Sequence, residues 1–123
     1  KGVKETFSKI PFHTNVPIKR LSMLSKKLVP TSNTHVAIHI VDYKHKNLSE
    51  YSFLHKHNAD EINLIISENN KLKYEIQLDD EKYKVSSPST VFIPKGVKHK
   101  ARFLSGEGIF VCIILSGKYT TSK

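Results

Sequence analysis

The spacing of the apolar runs constrains this chain more than any other feature. β-Branched and aromatic residues recur in short stretches roughly ten residues apart, each closed by Gly, Pro, Asn, Asp or Ser. His35–Val41 reads HVAIHIV, Tyr51–His57 is extended, and Glu61–Ser67 (EINLIIS) is a further strand. Glu68-Asn69-Asn70 turns the chain into Lys71–Leu78, and Asp79-Asp80 turns it into Glu81–Val85. Ser86-Ser87-Pro88-Ser89 leads to Thr90–Ile93, Pro94-Lys95-Gly96 bends into His99–Leu104, and Ser105-Gly106-Glu107-Gly108 into Ile109–Leu115. The one stretch with a helical pattern is short, near Ile18–Leu28. Short strands split by turn residues predict an all-β antiparallel sandwich or barrel.

At 123 residues the chain is expected to be one domain (1–123), with a barrel core at about 35–115 and an N-terminal extension at 1–34 carrying edge strands. A chain of this size buries roughly two thirds of its unfolded surface and needs no disulfide. The single Cys112 lies in the apolar run Ile109–Leu115, where a buried, inert thiol is expected. One thiol without a partner fits the reducing cytoplasm. No apolar stretch is long enough to span a membrane, and the Lys-rich start lacks the apolar centre of a signal peptide. The sequence opens at Lys1 rather than Met, which reads as a trimmed chain or part of a longer one. The net charge of +9 invites a nucleic-acid partner, but only Arg20 and Arg102 of the 20 basic residues are arginine. Arginine makes most bidentate contacts to bases and phosphates, so a specific nucleic-acid interface is not expected. The charge does favour small anionic molecules.

Chemistry concentrates in one constellation. Strand side chains alternate faces, so His55 and His57 point the same way, roughly 6.5–7 Å apart along the backbone, and Lys56 points away. Glu61 follows after Asn58-Ala59-Asp60 and brings a carboxylate to the same place, a spacing that favours it over Asp60. Thirty-three residues later, Pro94-x-Gly96-x-x-His99 supplies a bend and a third imidazole. His-x-His alone, or Pro-x-Gly alone, carries little; both in order, on predicted strands, point to a metal site.

The stretch from about Leu54 to Phe103 resembles the two signature motifs of the cupin superfamily. The first motif matches at His55, His57 and Glu61, the second at Pro94, Gly96 and His99. The resemblance implies a small β-barrel, or double-stranded β-helix of jelly-roll type, whose metal is held by His55, His57, Glu61 and His99. The chain departs from the pattern where Gly is absent before the first His pair and where Glu68 replaces a closing Gly. Pro88 and Phe103 likewise replace a Gly and an Asn of the second motif.

Three imidazoles and one carboxylate suit Fe(II), Mn(II), Ni(II), Co(II) or Zn(II), and leave two positions of an octahedron open. Candidate acid–base groups are Tyr43, Tyr51, Tyr74 and His39, each of which also has a buried structural reading. If Glu61 faces inward, Asn63 and Ile65 share its side, and Ala101 and Phe103 share the side of His99. Lys95, Lys98, Lys100 and Arg102 are expected near the pocket mouth, and His13, His35 and His45 on the surface. The resemblance implies a metal-dependent enzyme, a dioxygenase, isomerase or lyase, on a small organic substrate. The alternative is a non-catalytic small-molecule or sugar-binding domain of a larger regulator. Cupins of this kind commonly pair as homodimers, here through Val36–Val41 and Ile109–Leu115.

Overall fold

The computed structural model describes residues 19–41, 54–68, 71–116 and 120–122. Ten strands run in chain order: β1 (Lys19–Leu24), β2 (His35–Val41), β3 (Lys56–His57), β4 (Glu61–Ile66), β5 (Lys73–Leu78), β6 (Glu81–Ser86), β7 (Ser89–Ile93), β8 (His99–Ser105), β9 (Gly108–Ile114) and β10 (Thr121–Ser122). Five form one sheet in the order β1-β2-β9-β4-β7, three another in the order β6-β5-β8, and β10 pairs with β3. Every ladder is antiparallel. From His35 on, the expected strands are there with their ends displaced by no more than two residues, the stretch before His57 excepted. The extended reading of Tyr51–His57 survives as Lys56–His57, and its residues 51–53 lie outside the described ones.

The best helical candidate is a strand and a turn instead. Lys19–Leu24 ladders onto β2, with Leu21 opposite Ile38 and Ser22 opposite Ala37, and the chain then turns through Ser25 to Ser32. The apolar spacing of Ile18, Leu21 and Leu28 suits a helix, but pairing to β2 overrides local preference.

Alternation divides the five-stranded sheet. Ala37, His39 and Val41 of β2, Glu61, Asn63 and Ile65 of β4, and Phe110 and Ile114 of β9 are buried on one face. Ile65, Phe110 and Val41 of this sheet pack with Tyr74, Ile76 and Phe103 of the other in one core. Tyr74 stacks on Phe110 at 4.7 Å between ring centroids and meets Phe103 edge-on at 6.0 Å. The two sheets therefore face each other, but among the described residues no strand is laddered to both. The expected barrel is thus not closed by hydrogen bonds: the ladders stop at β1 and β7 in one sheet and at β6 and β8 in the other.

The opposite face of the larger sheet is apolar as well. Ile40, Ile109 and Ile66 stand directly across from one another on β2, β9 and β4. Each keeps more than a third of its surface exposed, and Phe92 on neighbouring β7 keeps more than half. No helix among the described residues is long and apolar enough to cross a membrane.

Candidate metal centre

Two chain segments meet at one end of the interior. His55 and His99 form a single antiparallel bridge, in which the His55 N–H donates to the His99 carbonyl at 3.0 Å and the His99 N–H returns to His55 at 2.7 Å. Just before His99, the Val97 N–H donates to the Pro94 carbonyl at 3.1 Å and Gly96 has φ +84. A tight turn with a left-handed third residue selects Gly there. This turn is sewn to the first motif, since the Gly96 N–H donates to the His57 carbonyl at 3.0 Å and the Lys95 N–H to Asp60 Oδ1 at 2.8 Å. Asp60, weighed as a rival to Glu61, is thus a tie for the turn. Asp79, with its own positive φ of 52, accepts from the Lys98 N–H at 3.1 Å and fixes the other side of the same segment.

The side chains converge accordingly. His55, His57 and His99 are all buried, and one ring nitrogen of each lies within 4.8 Å of the others. Neighbouring nitrogens on one ion at about 2.1 Å lie about 3.0–3.4 Å apart in octahedral or tetrahedral geometry. Rings drawn in to that spacing would bind one divalent ion together. The ring centroids are 5.0, 4.5 and 5.1 Å apart for the pairs His55–His57, His55–His99 and His57–His99. Glu61, first residue of β4, places Oε1 3.1 Å from His57 Nε2 and 3.2 Å from His99 Nε2. It lies beside Ile93 of β7 and Ile114 of β9 in the sheet.

The far atoms of these groups are held. His99 Nδ1 is 3.0 Å from the Val97 carbonyl, and His57 Nδ1 is 3.3 Å from the Thr120 carbonyl and 2.9 Å from Thr121 Oγ1. The Val97 carbonyl only accepts, so Nδ1 of His99 carries the proton and its Nε2 offers a lone pair to the interior, whereas the nearer partner of His57 Nδ1, the Thr121 hydroxyl, can donate or accept. Buried Glu61 Oε1 and His99 Nε2 form no hydrogen bond, although they lie 3.2 Å apart. Two buried lone-pair atoms so close together repel unless a positive charge lies between them. A divalent cation fits that need, and so does a second proton on His99. Burial alone would drive Glu61 up, but His57, His99 and Asn63 outweigh it and hold the carboxyl well below the usual carboxylate range. For His99, burial opposes the charged ring, yet Glu61 and the Val97 carbonyl raise its pKa above the ordinary value of 6.5.

The second-tier candidates divide. Tyr74 is completely buried in the aromatic cluster, and His39 is buried with its ring 5.6 Å from Phe110. Both sit at the level of Phe103 and Phe110, about four residues or ~13 Å along the strands from the histidines. Tyr43, Tyr51, His13 and His45 lie outside the described residues. Cys112 stands opposite Asn63 on β9 and keeps some exposure. Burial of its sulfur and the Glu61 charge push its thiol pKa well above the ordinary value, which keeps it protonated and inert. Sequence reasoning missed the anchors of the imidazoles. They are two backbone carbonyls and one threonine hydroxyl on a two-residue strand, and the carbonyls leave no mark in residue type.

The same architecture occurs in solved proteins. A cupin 2 domain-containing protein from Halorhodospira halophila matches with a TM-score of 0.67 at 12% identity, covering 98% of this chain and 82% of that one. The chain has the cupin fold. KdgF from Halomonas sp. is a second cupin-fold neighbour, at a TM-score of 0.56 and 14% identity, covering 93% of this chain and 88% of that one. Oxalate decarboxylase from Bacillus subtilis matches in a mutant form at a TM-score of 0.65 and 12% identity, covering 98% of this chain and 30% of the enzyme. A further structure of that decarboxylase is described by its Mn(II) centres. No family model and no curated protein matches in sequence. The likeness therefore lies in the fold, and the three-histidine cluster occupies a cupin interior.

Proposed function

We propose that this cupin is a metal-dependent enzyme acting on a small organic substrate, with His55, His57, Glu61 and His99 as the protein ligands of one divalent transition ion. The pairing of Glu61 Oε1 with His99 Nε2, buried, adjacent and without a hydrogen bond, carries the reading. Imidazole and carboxylate donors together favour Fe(II), Mn(II), Ni(II), Co(II) or Zn(II) over Mg(II) or Ca(II). When bound, such an ion supplies a Lewis acid, or a place where substrate and O₂ meet. The protein's own part is to hold three lone pairs and one carboxylate oxygen in place and to keep water out with Ile93, Ile114 and Ala59, all buried. Four donors leave coordination sites for substrate, which favours an enzyme over a purely structural centre. Dioxygenase, isomerase and lyase chemistry are all compatible with this donor set.

The reading extends to form and surroundings. A homodimer paired through the apolar outer face and a cytoplasmic location supported by the single inert thiol belong to it. Specific nucleic-acid recognition does not: Arg102, one of two arginines, is paired with Glu75 at 3.3 Å. The test is metal analysis of protein purified without chelators, followed by O₂ uptake and product analysis with a panel of small acids. One ion per chain and turnover of a panel member are expected. Protein that carries no ion and takes up none of Fe(II), Mn(II) or Ni(II) overturns the reading.

A further inference from the structure

We propose that Asn63 is a positioning residue for the metal centre: by holding Oε2 of Glu61, its amide leaves Oε1 as the oxygen presented to an ion. This rests on the reading of His55, His57, Glu61 and His99 as metal ligands. Asn63 lies inside β4, with apolar Ile62, Leu64, Ile65 and Ile66 around it. Asn is disfavoured in strands, and a buried amide costs free energy unless it is hydrogen-bonded. Yet Asn63 is only 2% exposed, among the most deeply buried side chains of the described residues. A Val or Ile at this position would suit both strand and core better, so the amide answers a different demand.

That demand is visible two residues earlier. Residues i and i+2 of a strand share a face, so Asn63 stands beside Glu61. Its Nδ2 donates to Glu61 Oε2 at 2.7 Å. The orientation of the amide is fixed, because the reverse would set the Asn63 oxygen against a carboxylate oxygen. A carboxylate with both oxygens loose can swing, or bind an ion through both. With Oε2 tied, the oxygen left without a hydrogen bond is Oε1, which faces His57 Nε2 and His99 Nε2. Of its neighbours in register, Val91 on β7 has no donor and Cys112 on β9 offers Glu61 only a weak thiol S–H, so the amide of Asn63 is the strong donor among the three. The tie parallels those on His57 and His99, and unlike the carbonyl of Val97 that holds His99 it comes from a side chain and is open to substitution. Residue 63 is not among the positions that either motif specifies, so the signal is a polar residue at an inward strand position, two residues after a candidate ligand.

The experiment compares wild-type protein, Asn63→Leu and Asn63→Gln as Co(II) and Mn(II) are titrated, read by calorimetry and, for Co(II), by visible absorption. The metal-free thermal midpoint of each variant serves as the control for folding. Asn63→Leu is expected to bind 10–100-fold more weakly, the usual consequence of removing an outer partner of a metal ligand. Its Co(II) spectrum should change in position or intensity as Glu61 reorients, and Asn63→Gln, which retains an amide, should lie nearer wild type. Should Asn63→Leu fail to fold, Asn63→Ala is measured in its place against the same expectation. Affinity within twofold of wild type with an unchanged Co(II) spectrum overturns the role of Asn63 while leaving the metal centre standing, even if the metal-free midpoint falls. Absence of binding by wild-type protein overturns both.

Discussion

His55 and His99, far apart in sequence, exchange both backbone hydrogen bonds of one isolated bridge, at 3.0 and 2.7 Å. The two halves of the metal pattern are therefore joined by main chain, independently of any ion. Removing either imidazole should leave that join intact.

His99→Ala is accordingly expected to keep the fold and lose metal. The backbone bridge and the β5–β8 ladder survive, and the gap left at a buried ring at the sheet end should lower the thermal midpoint by only a few degrees. Affinity for Mn(II) or Co(II) should fall by at least the 10–100-fold that an outer partner is worth, since a ligand itself is lost. Calorimetric titration beside circular dichroism checks both halves. Full metal occupancy in the variant would mean that the second motif is not part of the centre.

Acid should compete with metal earlier than for ordinary histidines. His99 is raised above 6.5 in the metal-free protein by Glu61, so its proton begins to displace an ion at a pH above 6.5. The signs for metal-free stability follow. Glu61, lowered from 4.5, contributes above that pH and loses its contribution as pH falls further. His99 contributes fully below 6.5 and loses its contribution as pH rises through its raised value. The pair thus supports the metal-free fold best between 4.5 and 6.5. The rise in thermal midpoint on adding Ni(II) should be large at pH 8 and nearly absent at pH 5 (test values chosen about 1.5 units either side of an ordinary imidazole). An equal rise at both would exclude His99 from the centre.

Gly96→Ala is expected to destabilise by strain alone. A Cβ at this position meets nothing within 4 Å, but φ is +84. The left-handed conformation costs a non-glycine residue about 1–2 kcal/mol. Chemical denaturation should show a loss of that size, with Gly96→Asn less affected because Asn tolerates this region. A variant as stable as wild type would show that the turn does not require glycine.

The row Ile40, Ile109 and Ile66 predicts association. Three isoleucines in register, each more than a third exposed, form an apolar strip without charge, and a second copy of the same face is a partner of matching character. Light scattering at high micromolar concentration should give a dimer, and Ile109→Lys, at the centre of the strip, a monomer. A monomeric wild-type mass contradicts this.

Much of this could be read from residues alone, for physical reasons. β2, β4 and β9 alternate so regularly that both their span and their inward faces follow from side-chain period, and Asn63 and Ile65 fall on the side of Glu61 as alternation requires. The histidine spacing works for the same reason. An edge strand is expected within residues 1–34, but the span of β1 is not legible because its apolar positions suit two periods, and only β2 decides between them. The sequence points to a barrel, and the ladders stop short of one, since strand edges depend on partners that residue type does not name. The anchors at Val97 and Thr120 are carbonyl groups that every residue possesses.

β10 deserves its place in this picture for a reason of timing. His57 emerges from the ribosome long before Thr120 and Thr121, which lie 63 and 64 residues further along and hold its Nδ1. A nascent chain therefore presents an imidazole free to bind through either nitrogen. Only when the last strand docks is one nitrogen committed to the backbone and the other to the interior. For the proposed centre, ion capture in its final geometry then has to wait for β10, so the selectivity of the site is set after its first two imidazoles have been made.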